Sequence, residues 1–324
     1  MPVPLPFLGG FLYRQLFITP SLPKARFDGQ NIIVTGSNVG LGLEAARHFA
    51  RLGASRVVLA VRDLAKGEAA KKSIDRDVSP SCVTVMRLDL TSYDSVQEFA
   101  ARIDEELDRL DVLCANAGIA TGTFRIAEQD ESTITTNVVS TFLLAFLLLP
   151  KLKTTAERYN VLTTLTFTSS EVHEFTDFGA PEEEDILTAL SDPVKANMGE
   201  RYFVSKLLQV FTTREMAARV GDSYPVVINC LNPGFCHSEL AREAGWYLYI
   251  MAVLLARSTE VGSRTIVAAA AAGPESHGKY MSESMITEPG EMVRSREGTI
   301  LQRKFWAELC ARLESIKPGI TAKL

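Results

Sequence analysis

Two pieces of this chain carry groups able to do redox chemistry together: Tyr202 with Lys206, and the turn Thr35-Gly36-Ser37-Asn38-Val39-Gly40-Leu41-Gly42. On a helix, a separation of four puts Tyr202 and Lys206 on one face, one turn apart. An ammonium held beside a phenol favours phenolate and draws the tyrosine pKa down from roughly 10, toward the range of a working proton donor or acceptor. The glycine-rich turn lies between an apolar strand and a helical stretch, an arrangement that aims backbone N–H groups and a helix N-terminus at a dinucleotide pyrophosphate. Within it Gly36 permits the turn, Gly40 allows close approach of the phosphates, and Gly42 lets the helix pack on the strand.

These groups need a frame, and the pattern supplies one. Near-continuous apolar runs at residues 32–34, 56–60, 83–86, 112–114, 161–167, 226–230 and 278–281 read as strands buried on both faces. Helical patterns at 42–52, 66–75, 92–107, 134–149, 202–220 and 258–271 alternate with them. That order predicts a Rossmann-type, doubly wound parallel sheet of about seven strands with helices on both faces. The catalytic domain is placed at residues 28–285, between an N-terminal extension, 1–27, and a C-terminal helical extension, 286–324, whose 301–313 stretch is amphipathic. Residues 171–200 break the rhythm, as functional walls and lids do. Their acidic run, Glu182 to Asp185, reads as solvated surface.

A chain of 324 residues that is 46% hydrophobic can bury a large core, and its net charge of -5 without a basic cluster argues against nucleic-acid binding. The five cysteines are scattered and read as reduced core thiols of a cytoplasmic protein. Cys236-His237 lacks a second ligand pair at metal-binding spacing, so no metal is expected. Residues 1–19 are rich in Pro, Leu and Phe but lack a basic n-region and a cleavage site, and Arg14 interrupts them. The uncharged run 246–256 is too short to span a bilayer. Both read as core-packing helices, with peripheral membrane contact as the alternative.

The order of the motifs resembles the short-chain dehydrogenase/reductase family: Thr35-Gly36…Gly40-Leu41-Gly42, Asn116-Ala117-Gly118, Ser170, Tyr202…Lys206 and Pro233-Gly234. The resemblance implies that Ser170, favoured over Ser169, polarises a substrate carbonyl and Tyr202 donates the proton. It further implies that Lys206 lowers the Tyr202 pKa and meets the nicotinamide ribose, and that Asn137 supports a water leading protons to the lysine. The cofactor set it implies is Gly36, Ser37, Asn38, Gly40, Leu41 and Gly42 at the pyrophosphate, Asp89-Leu90 at the adenine, Asn116-Ala117-Gly118 beside the adenosine ribose, Pro233-Gly234 at the nicotinamide, and Ser238 at the carboxamide or pyrophosphate. Ala115 stands where the family commonly has a further Asn.

Arg62, past the second strand, points to NADP(H) over NAD(H), because an arginine there accommodates a 2′-phosphate, and Lys66 could add charge. Asp63 could instead bond a ribose hydroxyl, or cap the next helix. Val61-Arg62-Asp63 with Lys66-Gly67-Glu68, the stretch 232–240 and the long insert after Ser170 resemble the retinol-dehydrogenase-like branch, above all fungal reductases of secondary metabolism. That implies a hydrophobic small-molecule substrate such as a polyketide or terpenoid, with Phe175, Phe178, Phe235, Trp246, Tyr247 and Tyr249 near the mouth. The alternatives are a membrane-associated retinol-like or lipid alcohol dehydrogenase and a non-catalytic nucleotide-binding scaffold. Relatives in the family often form homo-oligomers, and the 286–324 tail could cover such an assembly face.

Overall fold

The computed structural model describes residues 5–78, 81–176, 178, 185–237 and 255–324. After helix α1 (Leu5–Phe17), strand and helix alternate: β1 (Asn31–Thr35), α2 (Gly40–Arg51), β2 (Arg56–Val61), α3 (Leu64–Asp75), β3 (Val83–Arg87), α4 (Tyr93–Glu106) and β4 (Val112–Ala115). A two-stranded hairpin, β5 (Ile126–Ala127) and β6 (Asp130–Glu131), leads into α5 (Ser132–Ile134), a π turn (Thr135–Val139) and α6 (Ser140–Tyr159). Then come β7 (Thr163–Thr168), α7 (Ile186–Leu190), α8 (Arg201–Val220), β8 (Val226–Asn232), α9 (Thr259–Ala270), β9 (Tyr280–Ser282), β10 (Met285–Thr287), α10 (Glu291–Arg294) and α11 (Arg296–Ile316).

The main sheet runs β10-β9-β8-β7-β4-β1-β2-β3. Its first seven strands in chain order are parallel, and β10 adds an antiparallel eighth. Sequence pattern supplies about seven strands and misses this one. Its turn places Glu283 and Ser284 at φ of 53° and 64°, where Asn and Gly are the usual hairpin signal. Because alternate strand residues face opposite ways, each strand feeds two cores. Ile33, Val58 and Leu113 pack beneath α4, α6, α8 and α11, whereas Ile32, Val34, Val57 and Leu59 join α2, α3 and α9 on the other face.

Two helices differ from their sequence pattern. The one expected to end at Leu149 runs through Pro150 to Tyr159, because Leu152, Thr155 and Ala156 remain buried, and it stops at Asn160 in the left-handed region (φ 52°). Residues 132–159 make the one described helix long and apolar enough to cross a membrane, and nearly all of its apolar stretch is inside the protein. In the C-terminal tail, Leu301, Phe305, Trp306, Leu309 and Leu313 of α11 turn into the larger core. That stripe is therefore internal to this chain.

Candidate active site

The carboxyl ends of β1, β4, β7 and β8 converge, and the loops leaving them carry most of the singled-out residues. At the β1 end, Gly36 and Gly40 both take φ +65°, which a side chain would strain. A Cβ on Gly42 would stand 2.6 Å from the Gly36 carbonyl oxygen and 2.7 Å from Asn116 Nδ2. The close approach demanded of Gly42 is thus to its own turn and to the loop after β4, more than to the strand. Space in front of Gly40 is open. Val39 offers no side-chain cap to α2, so the first N–H groups of that helix have no side-chain partner there. Ser37 is buried with its hydroxyl donating to the Val34 carbonyl (2.7 Å), and Leu41 packs toward Gly262 of α9. Asn38 is partly exposed.

Thr35 stitches this turn to the loop after β4. Its hydroxyl oxygen accepts from the backbone N–H of Asn116 (3.0 Å) and of Ala117 (2.9 Å), while Asn116 Nδ2 donates to the Thr35 carbonyl (3.0 Å). Beyond β2, Arg62 is exposed, whereas the Asp63 carboxylate accepts from the Lys66 N–H (3.1 Å) as the cap of α3. Lys66 is exposed on the first turn. After β3, Asp89 bonds Thr91 through both its N–H and its hydroxyl (3.0 and 2.7 Å), and Leu90 is buried.

Tyr202 and Lys206 lie one turn apart on α8, with Nζ 5.4 Å from the phenol ring centre. Lys206 is buried, and Nζ donates to the Thr168 carbonyl at the end of β7 (2.8 Å) and to Gln209 Oε1 (3.0 Å). Burial alone pulls its pKa down from 10.5 to about 7. Tyr202 is partly open to solvent, yet burial pushes its phenol up to about 12, opposed by a hydrogen bond with Ser170. In this structure, desolvation of the tyrosine therefore outweighs any help from the lysine charge. Ser169 turns the other way and donates to the Lys206 carbonyl (3.1 Å), so the structure gives the two serines different jobs.

Asn137 sits in the π turn, fully buried. Its Oδ1 accepts from the Ile119 N–H (2.8 Å), and its Nδ2 donates to the Ile119 carbonyl (2.9 Å) and to Ser205 Oγ (3.0 Å). Its own carbonyl accepts from Gln209 Nε2 (2.7 Å). Gly118 lies between these groups: a Cβ there would be 3.2 Å from Asn137 Oδ1 and 3.6 Å from Lys206 Nζ. Gln209 escaped the sequence reading, although a residue three after Lys206 shares its helix face.

On the opposite wall, Gly234 takes φ +79° after Pro233. Asn232 Oδ1 accepts from the N–H groups of both Gly234 (3.0 Å) and Glu171 (3.1 Å), tying this turn to the loop that carries Ser170. Helix α1 docks here: Arg14 pairs with Glu171, and Gln15 Nε2 donates to the carbonyls of Phe235 (2.6 Å) and Leu255 (2.7 Å). Buried Arg257 pairs with Glu283 (2.6 Å) and donates to the Arg14 and Ile18 carbonyls. Toward the C-terminal end of α1, Tyr13, Leu16 and Phe17 are exposed, while Arg14 and Gln15 anchor it by polar contacts.

His173 is buried and held neutral, its pKa lowered to about 4 by burial, and it bridges the Ser170 carbonyl and the Gly290 N–H. Cys236 is also buried; its thiol, pushed up to about 12, donates to the Pro233 carbonyl. Phe175 packs edge-on against Phe203 near Tyr202, and Phe178 lies against the larger core. Ser238, Trp246, Tyr247, Tyr249 and the acidic residues 182–184 fall outside the described residues.

Known proteins share this arrangement. A family model described as short chain dehydrogenase matches residues 30–170. The "Short chain dehydrogenase/reductase dmxR8" of Cryptosporiopsis sp. is 48% identical, covering 97% of this chain and 99% of that protein. The "Short-chain dehydrogenase anuD" of Penicillium roqueforti is 41% identical, covering 96% and 84%. Among solved structures, a putative short chain dehydrogenase from Pseudomonas syringae superposes with TM-score 0.60 at 26% identity over 81% of this chain and 98% of its own. One from Escherichia coli CFT073, complexed with NADPH, gives 0.56 at 25% identity over 81% and 99%. With the glycine turn, the Asn-Ala-Gly loop and the Ser-Tyr-Lys group assembled at one end of a doubly wound sheet, this chain belongs to the short-chain dehydrogenase/reductase family of oxidoreductases.

Proposed function

We propose that this protein is an NADP(H)-dependent oxidoreductase that interconverts a carbonyl and an alcohol on a hydrophobic small molecule, such as a polyketide or terpenoid. The observation that carries the reading is the meeting of Ser170, Tyr202 and Lys206 at the ends of β7 and α8, with Gly118 of the loop after β4 beside Lys206 and Ala117 of that loop against Gly36 of the glycine turn. The residues present fit a nicotinamide dinucleotide: open space lies before Gly40, the α2 N–H groups lack a side-chain cap, and Arg62 is exposed where a 2′-phosphate would lie. Asp63, spent as a helix cap, leaves the ribose hydroxyl without its usual acidic partner, which favours the phosphorylated form.

When bound, the nicotinamide supplies or accepts the hydride. For reduction, Ser170 holds the carbonyl oxygen, and Tyr202 delivers the proton as negative charge develops there. The balance is one hydride to carbon and one proton to oxygen. Lys206 supports the resulting phenolate, which is reprotonated from solvent. For oxidation the same groups run in reverse. Phe175 and Phe203 give the nearby wall an apolar character suited to a bulky substrate.

Free cysteines and a net charge of -5 support a cytoplasmic protein. The exposed Tyr13, Leu16 and Phe17 favour a second reading, peripheral membrane contact through α1 by a lipid alcohol dehydrogenase. Substitution Tyr202→Phe tests the chemistry. Turnover falls by roughly a thousandfold, within the range set for a general acid, while NADPH affinity in a binding titration stays near wild type. Retained turnover would remove Tyr202 as proton donor.

A further inference from the structure

We infer that Gln209 is a positioning residue for this oxidoreductase, its amide bridging the Lys206 ammonium to the Asn137 carbonyl and holding the lysine charged and aimed beside Tyr202. The inference rests on the assignment of Tyr202 and Lys206 to the proton-transfer site. It follows from three contacts in one buried chain: Lys206 Nζ donates to Gln209 Oε1 (3.0 Å), Gln209 Nε2 donates to the Asn137 carbonyl (2.7 Å), and Nζ also donates to the Thr168 carbonyl (2.8 Å). Both ends of the route expected to run through a water are thus engaged by one side chain. An amide passes protons poorly compared with water, but it fixes geometry, because its oxygen only accepts and its nitrogen only donates.

The orientation of the Gln209 amide is set by these partners, since the ammonium can only donate and the carbonyl only accept. Nζ has three N–H groups. Two go to Thr168 and Gln209, and the Tyr202 ring centre lies 5.4 Å from Nζ. The groups facing Nζ are the Thr168 carbonyl from β7, the Gly118 backbone from the loop after β4, Asn137 across Gly118 from the π turn, and Tyr202 and Gln209 from α8. Among these only Tyr202 titrates. The ammonium is accordingly stabilised by neutral acceptors alone in a buried setting, where each acceptor counts for much.

The π turn completes the device. Asn137 lies within it, and the turn is opened to the wider i+5 spacing in which the Ser140 N–H donates to the Thr135 carbonyl. The Asn137 carbonyl in this turn accepts from Gln209 Nε2.

Gln209→Met keeps the length and removes both amide contacts. Lys206 then loses one of two acceptors, less positive charge stands beside Tyr202 at neutral and alkaline pH, and the phenolate becomes harder to form. In the alcohol-oxidation direction, where Tyr202 acts as base, the rising limb of the kcat profile moves alkaline by roughly one pH unit, and kcat near neutrality falls roughly tenfold. Gln209→Asn retains the amide one methylene short, so a water can complete the bridge, and it recovers most of the shift. A wild-type limb in Gln209→Met overturns the proposal, as does an equal fall in both variants that follows only their melting temperatures. Those outcomes leave the proton-transfer assignment standing if Tyr202→Phe is inactive. Normal turnover by Tyr202→Phe removes that assignment instead.

Discussion

The nucleotide-facing side of the cleft and the substrate-facing side are built by different means. On the first, β1, β2 and β4 lie side by side, and beside the Thr35 and Asn116 bonds the contacts are close approaches at glycines: Gly36 against Ala117, Gly42 against the Gly36 carbonyl and Asn116 Nδ2. On the second, the contacts are side-chain hydrogen bonds between segments far apart in the chain. Arg14 reaches Glu171, Gln15 reaches Phe235 across 220 residues, and Arg257 reaches back to Arg14 across 243. A wall closed on glycines at van der Waals limits tolerates no added atom, whereas one held mainly by long-range side-chain bonds can lose a member and keep its shape approximately. Cofactor binding should therefore be brittle and substrate binding gradual.

The largest effect expected from this contrast is at Gly42. In Gly42→Val a Cβ and two methyls must fit where a single Cβ already lies 2.6 Å from the Gly36 carbonyl. Overpacking of this kind costs about 1–3 kcal/mol of stability, and the turn that receives the pyrophosphate shifts. Titration should show affinity for both NADPH and NADH lowered by roughly a hundredfold or more, each 1.4 kcal/mol being tenfold. Affinities near wild type would show that this side is less rigid than its contacts suggest.

Arg62→Ala should have a smaller and more selective effect, because the arginine is exposed and its loss adds no atom to the turn. Loss of one charge-assisted contact to a 2′-phosphate corresponds to about 1.5–3 kcal/mol, or roughly ten- to a hundredfold. The change should appear in the ratio of NADPH to NADH affinity, with NADH nearly unaffected. An unchanged ratio would withdraw the cofactor preference.

The same contrast explains how much of the fold and the site is legible in the sequence. The nucleotide side was legible because its requirements are local: strand, glycines at fixed offsets, helix, and an Asn-Ala-Gly loop at the end of the fourth strand. Tyr202 and Lys206 were legible for the same reason, since helix geometry fixes their relation. Gln209 obeys that geometry too, but a glutamine at helical spacing carries no chemical signal until its partners are known. The π turn around Asn137 has no sequence mark, and the eighth strand follows a turn of Glu and Ser in place of Asn and Gly. Least legible was the docking of α1. Arg14 read as an interruption in an apolar stretch, and only tertiary contact shows Arg14 and Gln15 gripping the cleft wall.

The smallest predicted effect bears most directly on that wall. Gln15 is buried and holds two carbonyls, Phe235 (2.6 Å) and Leu255 (2.7 Å), which flank residues 238–254 in the sequence. Gln15→Leu keeps the volume but leaves both carbonyls without that donor, a cost of about 1–3 kcal/mol. Arg257, still paired with Glu283 and with the Arg14 and Ile18 carbonyls, keeps α1 attached, so the loss should be absorbed as looser placement of the Phe235 and Leu255 backbone. Looser placement weakens substrate binding before it disturbs Tyr202, which depends on α8 and β7. Steady-state kinetics with a bulky ketone should then show KM raised by about three- to fivefold, kcat within about twofold of wild type, and NADPH affinity unchanged. If NADPH affinity falls in step with KM, the two sides of the cleft are mechanically one. The division between a brittle cofactor wall and a yielding substrate wall would then have to be given up.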